Sequence, residues 1–251
     1  MIKAFRFLFS LYGLITFVIV MLLALPFVLV TPLWGKVKGG NMVYAICRVW
    51  AKTWYLLCGF KHETLYEHPY DANKQYVFVA NHASYMDIPP IVLAFNQPVR
   101  VLGKYEMVRY PIFGVIYRLA VVMVDRRDAE RRAKSVRALK KALQLGISIF
   151  IYPEGTFNED DRKPLREMFD GAFRLAIETQ TPIKPMLVID ALDRLHHSSI
   201  FSLNPGKNRV VFLEAIPVDG LQLSDLPQLK SNVAAVMDAG LRRYRSYPPA
   251  S

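Results

Sequence analysis

Between Arg6 and Lys36 the chain carries no charged residue, and residues 8–25 read as one apolar helix. At 1.5 Å per residue that run covers roughly 27 Å, the lower edge of what crosses the hydrocarbon of a bilayer. Pro26 and Pro32 interrupt it. From Asn41, read as an N-cap, apolar residues return at Val43, Ile46, Trp50, Trp54 and Leu57 with helical spacing, Arg48 and Lys52 fall away from that stripe, and Gly59 supplies a stop. After Phe60 the period changes. Short β-rich runs at 76–80, 99–102, 120–124, 148–152 and 183–189 alternate with helical patterns at 88–94, 112–119, 128–145 and 171–179. That alternation predicts an α/β domain with a mixed, largely parallel central sheet flanked by helices. Residues 200–203, the turn Asn204-Pro205-Gly206 and residues 210–216 read as a hairpin, and Ser224 caps a last helix to about Arg243. The chain thus divides into an N-terminal helical attachment region, 1–60, and an α/β domain, 61–251.

Composition sharpens the first of these units. The 53% hydrophobic share is slightly above the globular norm, and the excess lies at the N-terminus. Lys3 and Arg6 precede the apolar run and Lys36 and Lys38 follow it, so the positive-inside rule sets no orientation; a segment entering and leaving by one face removes the difficulty. A secretory signal is the competing reading, disfavoured by the length of the run and the lack of a small-x-small site. The Trp-bearing helix suits a membrane interface or a place against the domain core.

Net charge is +11, from 32 Lys and Arg against 21 Asp and Glu, which points to a polyanionic partner. Arg131, Arg132, Lys134, Arg137, Lys140 and Lys141 crowd one helix whose apolar stripe is Val136, Leu139 and Leu143. It reads as a solvated face, or as contact with an anionic membrane surface or an acidic acyl-carrier protein. No nucleic-acid motif accompanies the charge. Cys47 and Cys58 fit neither a metal spacing nor a disulfide framework, and His196-His197 is an adjacent pair without ligand-spaced neighbours, so no metal site is expected.

The chemistry concentrates where strands end. Asn81-His82-Ala83-Ser84-Tyr85-Met86-Asp87 follows an apolar strand and precedes Pro89-Pro90. His and Asp five apart diverge by about 140° on a helix, so only a non-helical turn brings them together. In such a turn the carboxylate holds one ring nitrogen and leaves the other to take a proton from a hydroxyl; the bland alternative is a polar surface loop. Val124-Asp125-Arg126 ends another strand with an arginine suited to phosphate. Pro153-Glu154-Gly155-Thr156 follows a third, where glycine lets a ligand approach the backbone and an amide with a threonine hydroxyl can bind phosphate or an oxyanion. Thr181-Pro182-Ile183-Lys184-Pro185 opens a fourth.

Four motifs in this order, over residues 61–216, resemble the glycerolipid acyltransferase family, most of all its lysophosphatidic acid acyltransferases. The resemblance implies an α/β acyltransferase fold and a membrane-bound enzyme, with its active site on the cytoplasmic face of a bacterial inner membrane. It implies transfer of an acyl chain from acyl-CoA or acyl-carrier protein to the free hydroxyl of lysophosphatidic acid, giving phosphatidic acid, with no bound cofactor. It makes His82 the general base and Asp87 its orienting partner, and assigns Arg126, Glu154, Gly155 and Thr156 to the acceptor's phosphate end. Ser84 is the alternative nucleophile, but the family reaction needs no covalent step. Two positions depart from the pattern: Phe157 stands where arginine is common, and Phe169 where lysine is. Arg162, Lys163 or Arg166 would have to supply the missing charge. Otherwise the acceptor is another lysophospholipid or a lyso-aminolipid, or the chain is a non-catalytic lipid-binding protein.

Overall fold

The computed structural model describes residues 2–125 and 128–247. Two long helices, α1 (Ile2–Val30) and α2 (Gly35–Cys58), are joined by a 3-10 turn at Thr31–Trp34. They fold back on each other: the Trp54 indole N–H donates to Gly13 O at 2.9 Å, the Tyr12 hydroxyl donates to Leu57 O at 3.1 Å, and Phe17 meets Trp50 and Trp54 edge-on. Gly39 permits the tight return, since a Cβ there would collide with the Thr31 carbonyl. Two expectations change here. Pro26 sits inside α1 instead of ending it, and Asn41 lies within α2, where its side chain accepts from Arg100 Nη2 at 2.9 Å rather than capping a helix.

Among the described residues seven strands make one sheet in the order β1-β7-β6-β2-β5-β3-β4. They are β1 (Lys61–Tyr66), β2 (Val77–Ala80), β3 (Val99–Lys104), β4 (Val121–Val124), β5 (Ser148–Ile151), β6 (Ile183–Val188) and β7 (Lys207–Phe212). Neighbours run parallel except β6 and β7, so the sheet is mixed and mostly parallel, as the alternation predicts. The expected hairpin is absent among the described residues. Residues 200–203 form no strand; β7 instead pairs with the distant β6 and with β1, a polar edge strand that lacks an apolar signature.

Strand alternation sends Val77 and Val79 to one face and Phe78 and Ala80 to the other. The first face is covered by α5 (Ala129–Gln144), α6 (Gly171–Thr179) and α8 (Leu226–Tyr244), through residues such as Leu139, Phe173 and Val233. The second is covered by α2 and α3 (Ile88–Ala94), through Tyr44, Trp54, Tyr55 and Ile91. The helix α4 (Phe113–Ala120) packs on α1, α2 and β4, and α7 (Ala191–Arg194) packs on β7 and on the turn after β2. The boundary expected at Phe60 therefore runs through a shared core: α2 is a covering helix of the α/β layer. Its partner α1 keeps Leu8, Leu23 and Phe27 each more than 60% exposed. The stretch Ala4–Cys58 contains a window long and apolar enough to cross a membrane, only 22% of it buried by the protein.

Candidate active site

The carboxyl ends of the adjacent strands β6, β2 and β5 converge, and the site grows from the turn after β2. Ser84 has extended backbone geometry and opens a 3-10 turn at Tyr85–Asp87 with a capping box. Its Oγ accepts from the Met86 amide at 3.0 Å and donates to the Leu195 carbonyl, and the residue is wholly buried. A hydroxyl so engaged is structural, which disposes of Ser84 as a nucleophile. Asp87 is also fully buried, and its Oδ2 accepts from His82 Nδ1 at 2.8 Å, Ala83 N at 2.7 Å and Ser84 N at 2.8 Å. With Oδ2 as the acceptor of all three bonds, the imidazole tautomer is fixed with the proton on Nδ1. The remaining nitrogen, Nε2, is left as the basic atom, on a side chain 15% exposed.

Aromatic rings fix the plane of that imidazole. Tyr152 stacks on it at 3.9 Å and 12°, and Phe157 meets it edge-on at 4.5 Å while also packing on Tyr85 at 4.7 Å. Phe157, the residue standing where arginine is common, thus forms one wall of the histidine's slot. Burial raises the Tyr152 phenol well above its usual pKa, and the nearby Asp87 charge pushes the same way.

Glu154 is completely buried. Its Oε1 accepts from the His82 amide and its Oε2 from the Arg166 amide, both at 2.8 Å. The Asn158 amide donates to the His82 carbonyl at 2.7 Å, so both backbone polar groups of His82 are gripped by the segment after β5. Burial pushes the Glu154 carboxyl up to about 8, opposed by the two backbone amides and reinforced by the Asp87 charge. The resemblance assigned Glu154 to the acceptor's phosphate; its oxygens instead hold the loop to the catalytic turn. Gly155, at φ 69°, occupies the left-handed region that favours glycine, and its amide closes a turn onto Tyr152 O at 3.1 Å. That amide is therefore engaged within the turn, and Thr156 is the exposed member of the motif. Arg126 lies outside the described residues.

The candidates for compensating charge separate clearly. Arg162 is turned back onto Asp160 at 3.0 Å, and Arg166 contributes its amide to Glu154. Lys163 lines a cavity of about 200 Å³ whose wall includes Asn81, Ala83, Asp87 and Asn158. Phe169 is 60% exposed. The structure also corrects the reading of the histidine pair. Asp161, 35 residues earlier, brings Oδ2 to 3.2 Å from His196 Nε2, so the pair does have a ligand-type neighbour. No sequence spacing could have signalled a contact made by two separate loops.

A family model described as Acyltransferase matches residues 61–189. An uncharacterized acyltransferase of Schizosaccharomyces pombe is 30% identical over 180 residues, which are 70% of this chain and 63% of that protein. The human 1-acyl-sn-glycerol-3-phosphate acyltransferase beta is 30% identical over 156 residues, 61% of this chain and 55% of its own length. The match thus spans less than two thirds of each of these relatives. The crystal structure of the 1-acyl-sn-glycerophosphate (LPA) acyltransferase PlsC from Thermotoga maritima aligns over 100% of both chains with a TM-score of 0.77 at 21% identity, a likeness of fold.

Proposed function

The chain belongs to the acyltransferase family, and from that premise we propose that it moves an acyl chain from a thioester to the free hydroxyl of lysophosphatidic acid, giving phosphatidic acid. The observation that carries the reading is the His82–Asp87 pair, joined at 2.8 Å beneath two aromatic walls. In the proposed reaction His82 Nε2 takes the acceptor's hydroxyl proton as its oxygen attacks the thioester carbonyl. The new C–O bond forms, the C–S bond breaks, and the departing thiolate recovers the proton from the imidazolium. Asp87 stabilises that imidazolium while it exists. The donor is acyl-CoA or acyl-carrier protein; the basic exposed face of α5 suits either polyanion.

The acceptor's phosphate end lies, in this proposal, toward Thr156 and Lys163. The α1–α2 hairpin enters and leaves one face of the bilayer, the cytoplasmic face of a bacterial inner membrane, and the exposed apolar side chains of α1 meet lipid. Phe157 on the imidazole favours one rival within the same chemistry, an acceptor without a phosphomonoester. Detergent-purified protein given labelled acyl-CoA and acyl-carrier-protein donors tests both readings. Lysophosphatidic acid competes in that assay against other lysophospholipids and hydroxylated lyso-aminolipids. Preference for lysophosphatidic acid supports the proposal, preference for another acceptor transfers it to the rival, and absence of His82-dependent transfer to any acceptor overturns both.

A further inference from the structure

We propose that Asp161, His196 and His197 form a site for one divalent transition-metal ion beside the catalytic turn. One ligand atom from each residue lies within 4.8 Å of the others. His196 Nε2 and Asp161 Oδ2 stand 3.2 Å apart, which is the span of two neighbouring ligands each about 2.1 Å from a zinc-sized ion. Ser198 Oγ lies 2.8 Å from His196 Nδ1. The Ser198 amide also donates to that nitrogen at 3.2 Å, so without a metal Nε2 carries the proton it shares with Asp161; an ion would displace that proton, and the Ser198 hydroxyl is placed to accept it on Nδ1. An independent observation points the same way: His197 Nδ1 is buried and lacks a hydrogen-bond partner among the described residues. Such an atom carries a free-energy cost that a ligand relieves.

Two imidazoles and one carboxylate form a set suited to zinc and its neighbours, with water completing the coordination. Ligand atoms spread over up to 4.8 Å are set wider than the roughly 3.4 Å between neighbours on a tetrahedral zinc ion, so one side chain moves inward on binding. Asp161, whose side chain is 54% exposed, has the room. The charge around the site allows a cation. Arg245 is held by Asp193 at 2.9 and 3.1 Å, and Asp160 faces the same cavity as Lys163.

The position gives the ion a task. Asp161 belongs to the loop whose Asn158 amide grips the His82 carbonyl, and His196 follows Leu195, whose carbonyl receives the Ser84 hydroxyl. A metal would clasp the two loops that hold the catalytic turn from opposite sides. The test uses the full chain in detergent, without a polyhistidine tag, stripped by chelator and titrated with Zn2+ and Co2+ by calorimetry and visible absorption. One ion per chain is expected, with affinity at least about tenfold weaker in Asp161→Asn, His196→Gln and His197→Gln and unchanged in His68→Gln. At the same zinc concentration the melting temperature of the wild type should rise more than that of any of the three site variants. Should the variants fail to fold, magnetic resonance of the wild-type Co2+ complex must still show two imidazole nitrogens on the metal. Stoichiometry indifferent to the three substitutions, binding that instead depends on His82, or fewer than two bound imidazoles overturns the proposal. So does the absence of saturable binding.

Discussion

Replacing Asp87 by asparagine separates the charge of the carboxylate from its geometry. The amide oxygen can still accept from His82 Nδ1, Ala83 N and Ser84 N, since all three converge on the single oxygen Oδ2. The turn and the tautomer are therefore retained. The imidazolium that forms during proton transfer loses its counter-charge. For charge centres about 4 Å apart at an effective dielectric near 20, that attraction is worth about 4 kcal/mol. Only part of the charge has developed in the transition state, so roughly 2–4 kcal/mol is lost, or about 30- to 1,000-fold in kcat. Because Asp87 makes no proposed contact with the acceptor, KM should stay within about threefold. Stability should hold, because the substitution removes a buried charge whose second oxygen, Oδ1, has no hydrogen-bond partner among the described residues. Steady-state acyl transfer and a thermal melt on the same detergent-purified sample decide the matter. A variant that keeps more than half of the wild-type kcat would refute the role given to the carboxylate, and a collapsed melt would show that its role is chiefly structural.

Other outcomes follow from the same geometry. His82→Ala should lower kcat by at least about a thousandfold while the protein still sediments with membranes; near-normal turnover would remove the general base from the proposal. Phe157→Ala removes an edge-on wall worth about 0.5–1.5 kcal/mol, so kcat should fall up to about tenfold with little change in acceptor KM, and a KM effect alone would place Phe157 on the acceptor instead. Glu154→Gln puts an amide nitrogen, which cannot accept, opposite a backbone donor, at a cost of about 1–3 kcal/mol. With the Glu154 carboxyl raised from 4.5 to about 8, the folded state binds the extra proton, so this group makes wild-type stability fall as pH rises between those values. The variant's deficit in melting temperature should accordingly be largest near pH 5 and shrink toward pH 9, and a deficit that grows with pH contradicts the raised value. Deleting residues 1–60 strips Tyr44, Trp54, Tyr55, Cys58 and Phe60 from the core and should yield aggregate. A monomeric remainder with a cooperative melt would show that α2 is dispensable.

Local features were legible in the sequence, and contacts across long separations were not. The helices at 88–94 and 171–179 have the expected bounds, the first helped by Pro89 and Pro90, which a helix tolerates in its first turn. The His82–Asp87 contact spans five residues and a 3-10 turn, so its spacing carried the information. β1 was missed because an edge strand reading Lys-His-Glu-Thr-Leu-Tyr shows no apolar alternation and exists through its pairing with β7. The supposed hairpin failed for the converse reason: a local turn signal lost to a partner strand farther upstream, β6. Glu154 shows the same limit within the site, since its motif marks a strand end but its burial and its bond to His82 depend on a segment 72 residues away.

The loop between α7 and β7 touches both the catalytic turn and α1. At Leu195 it receives the Ser84 hydroxyl, and at Leu203 its amide donates to Ser10 Oγ of α1 at 3.0 Å, where Leu203 also covers Gly13. The apolar hairpin and the catalytic turn are thus joined through one loop as well as through the shared core, rather than as a tether and its cargo. If that hairpin sits in lipid as proposed, the height of His82 above the acyl chains is set by those contacts rather than by a linker. Substrate capture then becomes a search in two dimensions, in which lateral diffusion brings an acceptor whose hydroxyl already rides at the right depth. Selection among lipids can begin with how far each one's hydroxyl stands out of the bilayer, before any side chain has touched it.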